Sequence, residues 1–288
     1  MASMRDIKRR RESIQSTGQI TKAMKLVATV KLQKAKARAE ESQPYFNAMY
    51  ATVKSMLKKS GNIRHPYLDA AGGGKKGIIV ITSNRGLAGG YNSNVMKLVT
   101  GSGMKKEDTL IYAIGRKGRD GLARRGYHIE HDYSEVMNEP LFSDASAIGK
   151  QVLSDFAEGK IDEIYLAYTV FRNTVSHVPT LLRLLPVSFE EAEEEEEASA
   201  DALTLMNYEP EAEEAFELII PKYVNSLIYG GLVQALASEN GARMQAMDSA
   251  TNNADEMISD LALKYNRARQ SSITQELTEI IAGANAIS

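Results

Sequence analysis

The sequence predicts an α/β protein in which helices from the two ends of the chain meet and an α/β domain is inserted between them. Three observations carry this reading. Residues 222–288 contain no proline and read as one very long helix, and residues 1–43 are equally free of proline. Between them, short β-rich runs alternate with helical ones, the pattern of a layered sheet with helices. The predicted segments are a helix over 1–60, an α/β domain over 76–188, an acidic loop over 189–208 and a long helix over 209–288.

The last segment decides the architecture. At 1.5 Å per residue it would run on the order of 100 Å, longer than an ordinary domain core can cover. Its apolar row is Met244, Met247, Thr251, Ala254, Ile258, Leu261, Tyr265 and Ala268, in steps of three and four. That is the a/d spacing of a coiled coil, so a second long helix or an enclosing partner is required.

The first helix opens at Ser3, a capping residue, with Asp6 three positions on. Ala, Lys, Arg and Met dominate it, and Gly18 is its weak point. Ile7, Ile14, Thr21, Met24, Ala28, Leu32 and Ala35 lie near one thin stripe of small residues, which suits a close helix–helix seam. Pro44 is expected to kink or end the helix briefly, with Tyr45 to Lys59 resuming it and Gly61 stopping it.

The middle follows in order. Gly77 to Thr82 is a β run ending in a glycine-rich turn. Leu110 to Ile114 is a second strand, followed by Gly115 and a helix to about Arg125. Tyr127 to Tyr133 is a third strand, and Ser143 to Glu158 a helix capped near Ser143 or Asp144. Ile164 to Phe171 and Pro179 to Val187 are the last two strands. The alternation predicts a mostly parallel, doubly wound sheet, and the short connection around Asn173 predicts that the last two strands are antiparallel. Glu190 to Glu197 is almost all glutamate and is expected to be a solvated loop. A short helix then reaches Ile220, and Pro221 is expected to bend the chain into the long helix.

Composition narrows the function. With no cysteine, disulfides and thiol chemistry are excluded. Met1-Ala2-Ser3-Met4-Arg5-Asp6 turns charged at once, which is not a secretory signal, and runs such as Ile78 to Ile81 are too short to cross a membrane. Residues 1–59 hold 14 Lys/Arg against 4 Asp/Glu, and residues from Glu209 onward hold 12 Asp/Glu against 5 Lys/Arg. Basic and acidic helices at opposite ends are suited to each other. The first helix could also bind nucleic acid, but no helix-turn-helix, zinc-finger or RNA-binding aromatic motif accompanies it, and an acidic protein partner fits better.

Candidate chemistry is sparse. Ser83-Asn84-Arg85-Gly86-Leu87-Ala88-Gly89-Gly90 lies between strand and helix, where dinucleotide folds cradle phosphate. It matches neither G-x-G-x-x-G nor the P-loop pattern, so a structural turn is favoured over a nucleotide site. Gly115, Gly118 and Gly121 form a second series with the wrong spacing. His128, Glu130 and Asp132 alternate on one strand, but no further ligand pair is evident, and ordinary solvent-facing side chains are favoured over a metal site. His65 and His177 are isolated, and no catalytic grouping can be nominated. No cofactor is expected. A nucleotide-binding enzyme with helical arms stays as the second reading.

Two terminal motifs then resemble a known family. Gln19-Ile20-Thr21-Lys22-Ala23-Met24 is similar to the N-terminal signature of F-type ATP synthase gamma subunits, and Ile273-Thr274-Gln275-Glu276-Leu277-Thr278-Glu279-Ile280 to their C-terminal one. Tyr265 to Gln270, Ser238 to Thr251 and the turn Arg85 to Gly90 also look like the family. The resemblance implies a noncatalytic rotor shaft of a bacterial-type enzyme. Its terminal helices would form an antiparallel coiled coil inside a ring of alpha and beta subunits. A Rossmann-like, mostly parallel five-stranded domain would form the foot, against the epsilon subunit and the membrane c-ring. It implies a peripheral position on the cytoplasmic face of the cell membrane. By motif position it assigns Met24, Lys22 and Lys25 to beta-subunit levers. It assigns Arg243, Gln270, Thr274, Glu276 and Glu279 to coupling and an upper bearing, and Tyr208 and Glu209 to the foot. It leaves the Arg85, Gly86, Gly89, Gly90 turn without an assigned nucleotide.

Overall fold

The structure, a computed structural model, describes residues 4–59, 65–68, 75–187 and 212–287. It divides into two compact units, Met1–Thr29 with Arg243–Ser288, and Val30–Ala242. The elements run α1 (Met4–Lys59), β1 (Lys76–Ile81), α2 (Tyr91–Gly101), β2 (Thr109–Ile114) and α3 (Arg116–Ala123). They continue with β3 (His128–Asp132), a 3₁₀ turn (Ser134–Asn138), α4 (Phe142–Ala157), β4 (Glu163–Phe171), β5 (His177–Leu185) and α5 (Ala212–Ile287). The predicted acidic loop, with its glutamate run, lies outside the described residues, as do Tyr208 and Glu209.

The two prolines were expected to break or bend helices, yet each sits inside one continuous helix: Pro44 in the 56-residue α1 and Pro221 in the 76-residue α5. A proline deprives the carbonyl four residues back of its donor. Here those carbonyls belong to Glu40 and Glu217, both exposed, where water can satisfy them. Next to Pro44, Phe46 and Met49 pack partly buried against the core, and next to Pro221, Ile220 and Val224 are buried.

In the second unit the sheet order is β3-β2-β1-β4-β5. β1 pairs in parallel with β2 and β4, β2 in parallel with β3, and β4 antiparallel with β5, as the sequence predicts. The β4–β5 turn is closed by Asn173, whose Oδ1 accepts from the Val175 amide at 2.9 Å and the Ser176 amide at 2.7 Å. α4 is capped from within: the Asp144 carboxylate accepts the Leu141 amide at 2.9 Å.

β1 and β2 are buried on both faces, so they read as near-continuous apolar runs. One face, with Ile79, Ile81, Tyr112, Ile114 and Leu166, packs under α4, α5 and the second half of α1. The other, with Ile78, Val80, Ile111 and Ala113, packs under Val95 and Val99 of α2 and Leu122 of α3. Gly231 of α5 lies close to the first face: a Cβ there would stand 2.9 Å from Leu166 Cδ2 and 3.4 Å from Ile81 Cδ1. Its neighbour Gly230 has open space instead, with nothing within 4 Å of the same position.

A buried carboxylate ties β2 to α4. Asp155, 1 % exposed, accepts the Tyr112 hydroxyl at 2.6 Å, the Lys160 ammonium at 3.1 Å and the Gln151 amide at 3.2 Å. Burial pushes its carboxyl up, but those three donors outweigh burial and hold it below the ordinary carboxylate value.

Two outcomes follow. Gly230→Ala raises stability by about 0.5–1 kcal/mol through helix propensity alone, whereas Gly231→Leu overpacks the core and lowers it by about 1–3 kcal/mol; denaturant titration reads both. Because Asp155 titrates lower in the folded state, its contribution is present above the unfolded-chain value near ~3.9 and is lost as pH falls through the folded value. Acid titration of Asp155→Asn followed by circular dichroism is expected to show a shallower loss of stability below about pH 4 than the parent. Superimposable acid profiles would contradict the role given to Asp155.

Candidate functional site

The first unit is a helix pair built on a row of small residues. Along α1 the covered positions are Ile7, Arg11, Ile14, Gly18, Thr21, Lys25 and Ala28, alternating steps of four and three. Along α5 they are Met247, Thr251, Ala254, Ile258, Leu261, Tyr265, Ala268 and Ser272. The two rows run antiparallel. A Cβ added to Gly18 would stand 3.3 Å from the Ala254 Cβ. The Thr21 and Thr251 hydroxyls meet at 2.8 Å. Each threonine also reaches its own helix, Thr21 to the Gly18 carbonyl at 3.0 Å and Thr251 to the Met247 carbonyl at 2.8 Å. Two protons serve three contacts, so one hydroxyl donates across the seam while the other donates along its helix. On either side, Lys25 Nζ meets the Asp248 carboxylate at 2.6 Å, and the Arg11 guanidinium lies over the Tyr265 ring at 5.8 Å.

This geometry sorts the sequence candidates. Lys22 is exposed on α1, Met24 is half-buried beside the seam, and Lys25 is committed to Asp248 within the pair. Met24 and Lys25 are both half-buried between Thr21 and Ala28, so the expected stripe position of Met24 is shared with Lys25. Arg243 is half-buried at the start of this stretch of α5. Gln270, Thr274, Glu276 and Glu279 are all exposed. Among the described residues they are linked along α5: Thr274 donates to the Gln270 carbonyl at 2.9 Å, and the Gln275 amide reaches Glu279 at 2.9 Å. The seam therefore brings none of these four to a partner helix. Sequence reasoning missed Gly18 and Arg11 as seam residues, because a glycine and an arginine do not read as apolar knobs. The signal was their spacing from Thr21.

α1 begins at Met4, and α5 outruns it. From Ile273 to Asn285 every described side chain is exposed. Ile273, Leu277, Ile280 and Ile281 are 48 %, 55 %, 68 % and 59 % exposed. Spaced at i, i+4, i+7 and i+8, they make one apolar stripe, and among the described residues no helix lies over it.

The glycine turn of the second unit is braced from inside. The Asn92 side chain accepts the Ser83 amide at 2.9 Å, and the Ser83 hydroxyl donates to the Arg85 carbonyl at 2.5 Å. The Asn84 side chain donates to the Ser134 carbonyl at 2.7 Å and accepts the Arg116 amide at 3.1 Å. Leu87 and Gly89 hold positive φ, 62° and 54°, which shapes the loop ahead of Gly90. Gly115 and Gly118 make room for Thr82: a Cβ at Gly115 would lie 2.0 Å from the Thr82 carbonyl oxygen, and one at Gly118 2.6 Å from its hydroxyl. Both glycine series thus have packing reasons. The His128, Glu130, Asp132 strand is equally occupied. Glu130 bonds His128 at 3.0 Å and Lys160 at 3.2 Å, and Asp132 pairs with Arg119 at 2.6 Å. Burial raises the carboxyls of Glu130 and Asp132, and these donors, with Ser134 on Asp132, bring both below their ordinary range.

The family model described as ATP synthase matches residues 3–287. The ATP synthase gamma chain of Lachnoclostridium phytofermentans is 74% identical, with 100% of both chains covered. Among solved structures, a chain of the Tetrahymena thermophila mitochondrial ATP synthase central stalk and c-ring shares 25% identity at a TM-score of 0.61, covering 80% of this chain and 99% of that one. A chain of the Euglena gracilis mitochondrial ATP synthase has the same fold at a TM-score of 0.69, with 19% identity, covering 99% and 94%.

If the seam rests on small residues, Gly18→Leu is expected to lower the stability of the helix pair by about 1–3 kcal/mol. Thermal unfolding followed by circular dichroism measures it, and an unchanged melting profile would remove Gly18 from the seam.

Proposed function

The chain belongs to the ATP synthase gamma-chain family, and on that premise we propose how its parts divide the work. A gamma chain is a noncatalytic subunit, the central stalk that carries torque between the c-ring and the alpha–beta head. In this division the helix pair of 1–29 and 243–288 is the shaft within the head. The α/β unit serves the epsilon subunit and the c-ring.

The observation that carries this reading is the uncovered end of α5. Ile273, Leu277, Ile280 and Ile281 form an apolar stripe that the described residues leave open, a surface suited to other chains. An encircling alpha–beta ring does so as an upper bearing, with Gln270, Thr274, Glu276 and Glu279 as its polar contacts. Lower on the pair, exposed Lys22 and half-buried Met24 face the acidic levers of beta. Lys25 supports them from within the pair through Asp248. Arg243 belongs to the same coupling zone. Tyr208 and Glu209 are the foot contacts near the c-ring. The Arg85, Gly86, Gly89, Gly90 turn shapes the foot and holds no nucleotide.

The physics of coupling is differential contact. A shaft shifts a surrounding subunit between states only if it touches those states differently. An apolar stripe on one side of a helix and a cationic side chain on another supply that difference as the shaft turns. None of the described helices is long and apolar enough to cross a membrane. Attachment to the cytoplasmic face of the bacterial membrane therefore comes through the complex.

Reassembly with alpha and beta subunits tests the reading: the chain is expected to join their ring, and failure to do so would sink it. In the reassembled enzyme, Lys22→Glu and Lys22→Glu with Lys25→Glu are expected to weaken ATP-driven ion pumping while helix content is kept. The double variant also sets a second carboxylate against Asp248, a change worth up to about 1 kcal/mol at this exposed pair. Unchanged pumping in both variants would withdraw the lever contact.

A further inference from the structure

Gly230 and Gly231 stand together inside α5, where each costs roughly 1 kcal/mol of helix stability against alanine. Gly231 has a reason in the fold, its approach to Leu166 and Ile81. Gly230 has none: its missing side chain faces empty space. That space is a pocket of about 420 Å³ walled by Tyr45, Phe46, Phe142 and Tyr229, all within the α/β unit. Phe142 stands edge-on to Tyr45 at 6.5 Å and to Tyr229 at 5.7 Å, so the rings fix one another around the opening. The volume lies in the range of small-molecule sites, roughly 300–1,000 Å³, and is too large to be a packing defect.

A second recess of about 70 Å³ borders the pocket, sharing Ser42, Phe46 and Gly230 with it, and Gln234 is among its lining residues. The Gln234 Oε1 is buried and accepts no hydrogen bond among the described residues. An unpaired buried acceptor costs free energy unless a donor reaches it. Among the described residues, no charged side chain lines either space.

We propose that this pocket binds a neutral aromatic molecule bearing one hydrogen-bond donor, an aryl N–H or phenol. Its ring lies among Tyr45, Phe46, Phe142 and Tyr229 over Gly230, and its donor points to Gln234 Oε1. The site is separate from the helix-pair surfaces that serve the shaft, and it does not rest on the rotor reading.

Indole and indene separate the two parts of the proposal, because they share shape and only indole carries a donor. The chain has no tryptophan, so indole emission, excited beyond tyrosine absorption, is free of protein background. With the full-length chain, indole is expected to bind saturably with a Kd between about 10 μM and 1 mM. Indene, followed by its displacement of indole, is expected to bind about five- to tenfold more weakly. Gly230→Leu fills the space and is expected to weaken both at least about tenfold, with the melting temperature of the chain not lowered. Gln234→Met is expected to erase the indole–indene difference while indene still binds. Absence of saturation up to several mM indole, or unaltered affinity in Gly230→Leu, would overturn the site. Equal affinities of indole and indene for the parent chain would overturn the role of Gln234.

Discussion

The contact on which the helical unit depends is the meeting of Gly18 with Ala254 and of Thr21 with Thr251. Small side chains let two backbones approach, and a polar pair between them penalises any other register, since a slip would leave buried hydroxyls unmatched. Lys25 with Asp248 and Arg11 with Tyr265 repeat the same antiparallel alignment on either side. Once that register is fixed, the starting point of α1 dictates where α5 loses its cover. The apolar end of α5 is thus a consequence of pairing two helices of 56 and 76 residues in one alignment, with no special local signal needed.

The α/β unit uses its glycines for the opposite purpose to the one their pattern suggests. Thr82 fills the position beside Gly115 and Gly118, its hydroxyl accepting the Gly118 amide at 2.8 Å. Asn92 takes the Ser83 amide at the start of the first turn, and Asn84 takes the Arg116 amide at the start of α3. A fold that elsewhere leaves such amides for phosphate here satisfies them with its own side chains. The same economy shows in the carboxylates: Glu130, Asp132 and Asp155 each face a cation of this chain.

How much of this was readable in the residues varied with the kind of force involved. The α5 seam was legible because Met247, Ala254, Ile258 and Leu261 carry an apolar period strong enough to count. The α1 side was only half legible, since Gly18, Arg11 and Lys25 are seam residues by position and not by hydrophobicity. The mostly parallel character of the sheet followed from alternation with helices, and the antiparallel β4–β5 pair from the short Asn173 turn, whereas the strand order did not show in the residues. Continuity through Pro44 and Pro221 was not legible, because it depends on tertiary burial of the flanking turns and on solvent at Glu40 and Glu217. Family motifs named the exposed candidates at the end of α5, which spacing alone does not distinguish from any solvated helix face. The pocket at Gly230 was invisible, because a glycine in a helical sequence reads as a flaw until the space beside it is seen.

The uncovered end of α5 has a mechanical consequence. Resistance to bending rises steeply with the thickness of a rod, so two helices locked side by side deflect far less than one. Along the paired stretch, Arg11 to Lys25 and their partners share any lateral load. Past Ser272, among the described residues, a single helix bears it, and compliance rises at that point. Thermal wobble is therefore concentrated in the last turns, which a surrounding sleeve can centre without having to align the stiffer part below.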